Sequence, residues 1–219
     1  MTVNLVTLTN PTSPAAEAYR RLRVNLTSAG REVALHTLLV AAAGTDAEKA
    51  ITVANLAVTF AKVGKRVILA DCDLRHPAQH TLFGLANVAG VTTALRDEKA
   101  ALPLMPTEVP GLRVLTSGPA VDGPSDLIAS PAMGRLIARL CDEADVVLFD
   151  SPPVTLATDA AELAIQVDGV LLTVAAGHTK RDDAQRAKEL LEKVGARLVG
   201  AALVNVAADA ELRKYLATA

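Results

Sequence analysis

Short apolar runs alternate with stretches of helical periodicity along all 219 residues, and most of the runs are unbroken rather than alternating polar with apolar. Polar and acidic residues gather just after several of these runs. Together these features predict an α/β fold, a doubly wound and mostly parallel sheet with helices on both faces.

The elements follow in order. Asn4–Thr9 reads as an edge strand or an extended arm. Pro14–Thr27 reads as a helix, with Ser13 as its N-cap and Pro14 at the first helical position. Thr37–Ala42 is the first core strand, and Lys49–Val63 is a helix that Gly64 stops. Arg66–Ala70 is the second core strand. The proline-bearing stretches 102–111 and 118–125 read as loops around the strand Leu112–Thr116. Next come the helix Pro131–Asp142, capped by Ser130, and the strand Val146–Phe149. The helix Asp159–Gln166 leads to the strand Val170–Ala175. The helix Lys180–Val194, stopped at Gly195, leads to the strand Leu198–Val204, and a short helix is expected over Ala210–Leu216. No repeat or linker divides the chain, so residues 1–219 read as one domain, with 1–30 as an N-terminal arm and helix.

Composition narrows the function. Apolar residues make up 51%, enough for a core and too many for wholesale disorder. Three Phe, two Tyr and no Trp leave a core built from Ala, Val and Leu and few platforms for stacking bases. Twenty-two basic against 24 acidic residues give a net charge of -2, which argues against a nucleic-acid partner. Cys72 and Cys141 cannot form a disulfide framework, and a reduced, cytoplasmic setting is expected. The N-terminus lacks the pattern of a signal peptide, and no apolar run reaches membrane-spanning length. A role at the membrane would therefore come through a partner.

In this architecture ligands sit at the carboxyl ends of the strands. Three such ends carry chemistry: AAAGTDAEKAIT at 41–52, entering a helix, ILADCDLRHP at 68–77, and VVLFDSPPV at 146–154. A loop entering a helix beside acids on neighbouring strands is the layout of a P-loop nucleotide site. There the helix N-terminus draws phosphate and carboxylates hold magnesium.

Several segments together resemble the cytoplasmic domain of the bacterial tyrosine kinases that regulate exopolysaccharide and capsule synthesis, within the wider MinD/ParA-like group of P-loop ATPases. SPAAEAYRRLRVNL matches that family's Glu-x-x-Arg-x-x-Arg motif at Glu17, Arg20 and Arg23. GKRVILADCDLRHPAQHTLFGL, GPSDLIASPAM, FDSPPV and the stretch 168–206 resemble its later segments. The resemblance implies ATP and Mg2+ as cofactors. It implies that Asp71 and Asp73 serve magnesium and activate a tyrosine hydroxyl, that Asp150 holds magnesium through water, that Lys49 holds phosphate, and that Asn205 reads adenine. It further implies a ring-like homo-oligomer contacted through Glu17, Arg20 and Arg23, and a membrane-embedded polysaccharide chain-length regulator that recruits the domain to the inner face of the membrane.

The loop departs from that family's chemistry. A P-loop needs Gly-x-x-x-x-Gly-Lys-Ser/Thr. With Lys49 at the lysine position, Glu48 replaces the last glycine, Ala50 the hydroxyl residue and Asp46 another glycine. A side chain at the glycine obstructs the approach of backbone N–H groups to phosphate. A carboxylate about 4 Å from phosphate repels it by ~4 kcal/mol at an effective dielectric of about 20, roughly a thousandfold in affinity. Ala50 offers magnesium no hydroxyl, and Thr52 lies on another side of the helix.

Impaired or lost ATP binding is therefore the expectation, with an active autokinase using an unorthodox loop as the alternative. In the first case the acids persist as a polar cluster paired with Lys49 or Arg75. A MinD/ParA-type ATPase is a further alternative, disfavoured because Ala43 and Gly44 occupy the region of that group's extra lysine. A nucleotide-independent interaction module outside polysaccharide synthesis is another. His76 and His80 have metal-pair spacing without a compelling third ligand and read as surface residues. Cys72 reads as a buried, inert thiol. Tyr215 stands alone where active members of the family carry a tyrosine-rich tail. It reads as a packing residue, and Tyr19 lies within the assembly helix.

Overall fold

The computed structural model describes residues 5–30, 34–44 and 48–207. Its centre is a seven-stranded sheet of β1 (Thr37–Ala42), β2 (Val67–Asp71), β3 (Met105–Pro106), β4 (Leu112–Leu115), β5 (Val146–Asp150), β6 (Gly169–Ala175) and β7 (Leu198–Val204). The strand order is β3-β4-β2-β5-β1-β6-β7. All pairings are parallel except the short antiparallel contact of β3 with β4.

The sheet is doubly wound because its inner strands are apolar on both faces. Leu39, Ile68, Val147 and Phe149 point into one core, closed by α5 (Val91–Arg96), α7 (Pro131–Glu143), α8 (Asp159–Ala164) and α9 (Arg181–Lys193). Leu38, Val40, Val67, Leu69 and Leu148 point into the other, closed by α3 (Glu48–Ala61) and α2 (Pro14–Ala29). Alternate residues of one strand thus feed opposite layers. Helix α3 is buried along nearly its whole length. Its small residues Ala54, Ala57 and Ala61 let it lie close on the sheet.

Three of the four helix ends expected from the sequence, those at Ser13, Gly64 and Gly195, follow the expected local chemistry. The Ser13 hydroxyl accepts from the Ala16 N–H and caps α2. Gly64 and Gly195 adopt φ of 83° and 76° just past α3 and α9, the left-handed conformation that ends helices without steric cost. Ser130 departs from expectation: its hydroxyl donates to the Leu127 carbonyl rather than capping α7.

Three expectations are corrected. Residues of the stretch 4–9 form neither strand nor extended arm but the helical turn α1 (Val6–Thr9). Its β-branched residues favour a strand locally. Burial of Leu5 and Thr7, and the bonds of the Thr7 N–H and Oγ1 to Asn55 Oδ1 at 3.0 and 2.8 Å, hold it as a helix instead. The stretch 102–111 contains β3, which extends the sheet edge beside β4. The stretch 118–125 runs into α6 (Pro124–Ala129), started by Pro124. Two further short helices, α4 (Gln79–Leu82) and α5, occupy the connection after β2. The helix expected over 210–216 lies outside the described residues.

Candidate nucleotide-type site and its relatives

Sheet order brings the three functional strand ends together. β5 lies between β1 and β2, so the loop after β1, which feeds α3, stands beside the acids that end β2 and β5. Asp71 and Asp150 are direct register partners across β2 and β5. Both are fully buried, and Asp73, two residues beyond β2, is 6% exposed.

Lys49, in the first turn of α3, reaches into this group and is only 5% exposed. Its ammonium lies 2.6 Å from Asp150 Oδ1 and 3.2 Å from Asp73 Oδ2, and it also donates to the Ser151 carbonyl. Burial pulls the lysine down, but the Asp150 and Asp73 charges outweigh it and hold the ammonium above its ordinary value. The lysine is therefore charged and tied.

Asp71 is held differently. Its Oδ2 accepts from the Ala78 and Gln79 N–H groups at 3.0 and 2.9 Å, and Oδ1 accepts from the Asp73 N–H at 3.3 Å. Burial, with the Asp150 charge next, raises its carboxyl to about 8 despite those bonds. The cause is like charge in a dry place.

Gln79 is the site residue that sequence reasoning missed. It is fully buried, and its side-chain amide donates to Asp150 Oδ2 at 2.7 Å and to the Ala50 carbonyl at 3.1 Å. It thus ties β5 to the first turn of α3. The available signal was weak: an amide side chain at the start of the helix that follows Asp71, eight positions on. Arg75 does not join the acids. It bonds Asp159 Oδ2 at 3.0 Å and the Ser125 hydroxyl at 2.7 Å, bridging α8 and α6. Cys72 points into the core as expected, and burial pushes its thiol well up.

Helix α3 opens on the half-buried Glu48. The end of the helix that attracts anions thus carries its own carboxylate. Ala50 follows Lys49 with a methyl group only, and Asp46 lies outside the described residues. Thr52 is fully buried on another flank of α3. It lines a cleft of about 410 Å³ with Tyr19, Glu48 and Asn205. Asn205 has a left-handed backbone, φ 58°, just past β7, and its amide reaches the Ala176 carbonyl at 3.5 Å. The fold thus places Lys49, Asp71, Asp73 and Asp150 in one cluster and Asn205 in the adjoining cleft. In that cleft burial raises the Tyr19 hydroxyl, which Thr52 opposes and the Glu48 charge reinforces.

On α2, Glu17 pairs with Arg20 at 2.7 Å, and Arg20 also donates to the Pro11 carbonyl at 2.7 Å. Arg23, one turn on, does not join that pair. Among the described residues no group of three or more His, Cys, Asp or Glu side chains is arranged to hold a metal, and none of the helices is long and apolar enough to cross a membrane. Tyr215 lies outside the described residues.

Comparison with known proteins places this geometry. The ParA family, described as NUBPL iron-transfer P-loop NTPase, matches residues 34–208. The tyrosine-protein kinase YwqD of Bacillus subtilis is 36% identical over 199 residues, covering 90% of this chain and 84% of its own. The crystal structure of the chimerical protein CapA2B2 superposes with a TM-score of 0.87 at 33% identity, over 91% of this chain and 88% of that one. The kinase domain of Escherichia coli tyrosine kinase ETK gives a TM-score of 0.86 at 27% identity, over 94% and 82%. With its ParA-like sheet, its Lys49–acid cluster and these relatives along most of its length, the chain belongs to the bacterial tyrosine-protein kinase family of P-loop NTPases.

Proposed function

We propose that this chain is a tyrosine-kinase-like regulator of exopolysaccharide or capsule synthesis whose ATP binding is impaired or lost, and that it acts by assembling with itself and with a membrane-embedded chain-length regulator. The observation that carries the reading is the state of Lys49, buried and paired with Asp73 and Asp150. A phosphate-binding lysine must leave those partners and meet an anion past Glu48.

The residues present do not fit magnesium-bound ATP. Ala50 brings no hydroxyl to the metal, and its carbonyl is taken by Gln79. Glu48 stands where the family has glycine. Phosphoryl transfer depends on positioning and electrostatics together, and both are altered here. What remains is a packed scaffold that carries the Glu17–Arg20 pair and Arg23 on α2. That helix supports the assembly role, and the family resemblance supports the polysaccharide system and the membrane partner.

One observation favours an active autokinase as a second reading. Lys49, Asp71, Asp73 and Asp150 are all retained and grouped at the strand ends. Transfer of label from γ-labelled ATP to the chain, measured with the membrane partner present, separates the two. The proposed function predicts no incorporation. Label that appears in the wild type and disappears in Lys49→Ala overturns it in favour of the autokinase.

A further inference from the structure

The sheet has two edges, and they are built differently. On one side β3 is two residues long, and one of them is Pro106, which has no N–H to offer. A short edge with proline resists pairing with another chain. On the other side β7 runs for seven residues, and among the described residues no strand lies beyond it. From Leu198 to Ala207 there is no charged residue and no proline. Strands β1, β2 and β5 are buried throughout, whereas no residue of β7 is. Leu203 is 63% exposed and Val206, just past the strand, 56%.

The inner pairing of β7 determines what its outer side presents. In a parallel ladder a residue directs its N–H and C=O to one side, and its neighbours direct theirs to the other. The Val204 carbonyl accepts from the Ala176 N–H at 2.9 Å, so Val204 and Ala202 face β6. Ala201 and Leu203 therefore direct their backbone groups outwards. Residues 200–204 read Gly-Ala-Ala-Leu-Val, a stretch that complements itself when run antiparallel. With a two-fold axis at Ala202, Ala201 of one copy meets Leu203 of the other and Gly200 meets Val204, a small side chain against a larger one each time. That register also sets the outward backbone groups of Ala201 and Leu203 against each other.

We propose that a second copy of this chain pairs antiparallel with β7 about Ala202, joining the two sheets edge to edge. The contact is isologous and closes at two copies. Helices α2 and α9 pack against β7, so they adjoin the seam and widen it beyond the strands. The chain's own residues 208–219 match this uncharged strand less well, since they carry Asp209, Glu211, Arg213 and Lys214. The inference rests on the proposed self-assembly and adds a surface separate from Glu17, Arg20 and Arg23.

The test therefore uses the full chain carrying Glu17→Ala, Arg20→Ala and Arg23→Ala, which takes the α2 surface away. Amide hydrogen exchange is followed at a high concentration and at one about a hundredfold lower. The Ala201 and Leu203 amides are expected to be protected at the high concentration and to lose that protection on dilution. Light scattering at the high concentration is expected to give the mass of two copies, and of one copy once Leu203→Lys is added, with helix content unchanged.

Fast exchange of both amides at both concentrations overturns the proposal. So does protection that dilution leaves unchanged, because the chain's own residues would then cover the strand. A mass that stays at two copies in Leu203→Lys overturns it as well. If that variant does not fold, the dilution series decides. Failure of the α2 surface reads differently, as a triple variant with the mass of the wild type, and exchange at 201 and 203 still decides the fate of β7.

Discussion

At Asp71 the fold keeps a carboxyl protonated well above the range of an exposed acid. The folded group holds its proton up to about pH 8, whereas the unfolded group loses it near 3.8. Between those values the folded state binds the additional proton, so the contribution of this group to stability falls as pH rises through that window and is fully present below it. Asp71→Asn removes the titration while an amide oxygen can still accept from the Ala78 and Gln79 N–H groups. The variant is expected to gain melting temperature relative to the wild type at pH 8 and to flatten the decline between pH 6 and 8. Parallel melting curves across that range would contradict this. Lys49 has the opposite role, since its ammonium offsets Asp73 and Asp150. Both roles were only half legible in the sequence: the acids and the lysine stand out at the strand ends, but which pairs with which depends on rotamers that spacing does not determine. Arg75 shows the limit plainly, for it is close in sequence to the acids yet bonds Asp159 and Ser125.

Among the elements, the N-terminal arm is coupled to the loop-bearing helix more tightly than its sequence suggests. The α1 turn is pinned to α3 through Thr7 and Asn55, and Lys62 donates to the Thr7 carbonyl. Asn55→Ala leaves the Thr7 N–H and hydroxyl without their buried acceptor and is expected to cost about 2 kcal/mol. Denaturant unfolding measures that loss, and hydrogen exchange should show faster exchange at residues 6–9. Ser13→Ala should cost about 1 kcal/mol by removing the α2 cap. The long elements were readable because their patterns extend over whole faces, as in β1, β5, α3 and α9. The short ones were not. α1 and α4 span four residues each, too few for periodicity to register, and both are held by polar bonds across the fold, α1 to Asn55 and Lys62 and α4 to Asp71, Asp150 and the Ala50 carbonyl.

At the scale of the whole molecule, an aromatic-poor core and the close-lying α3 cover a sheet with its chemistry at one end. The same chain carries a charged face on α2. If assembly is its working state, replacing Glu17, Arg20 and Arg23 together by Ala should lower the mass measured by light scattering to that of a smaller species, with helix content retained. An unchanged mass would remove those residues from the assembly surface. Whether the loop still takes nucleotide is decided by calorimetric titration of ATP with Mg2+ into the wild-type chain. With Glu48 repelling phosphate, no saturable heat is expected, or a Kd of about 1 mM or weaker. Saturable binding with a Kd of about 1 μM would contradict it.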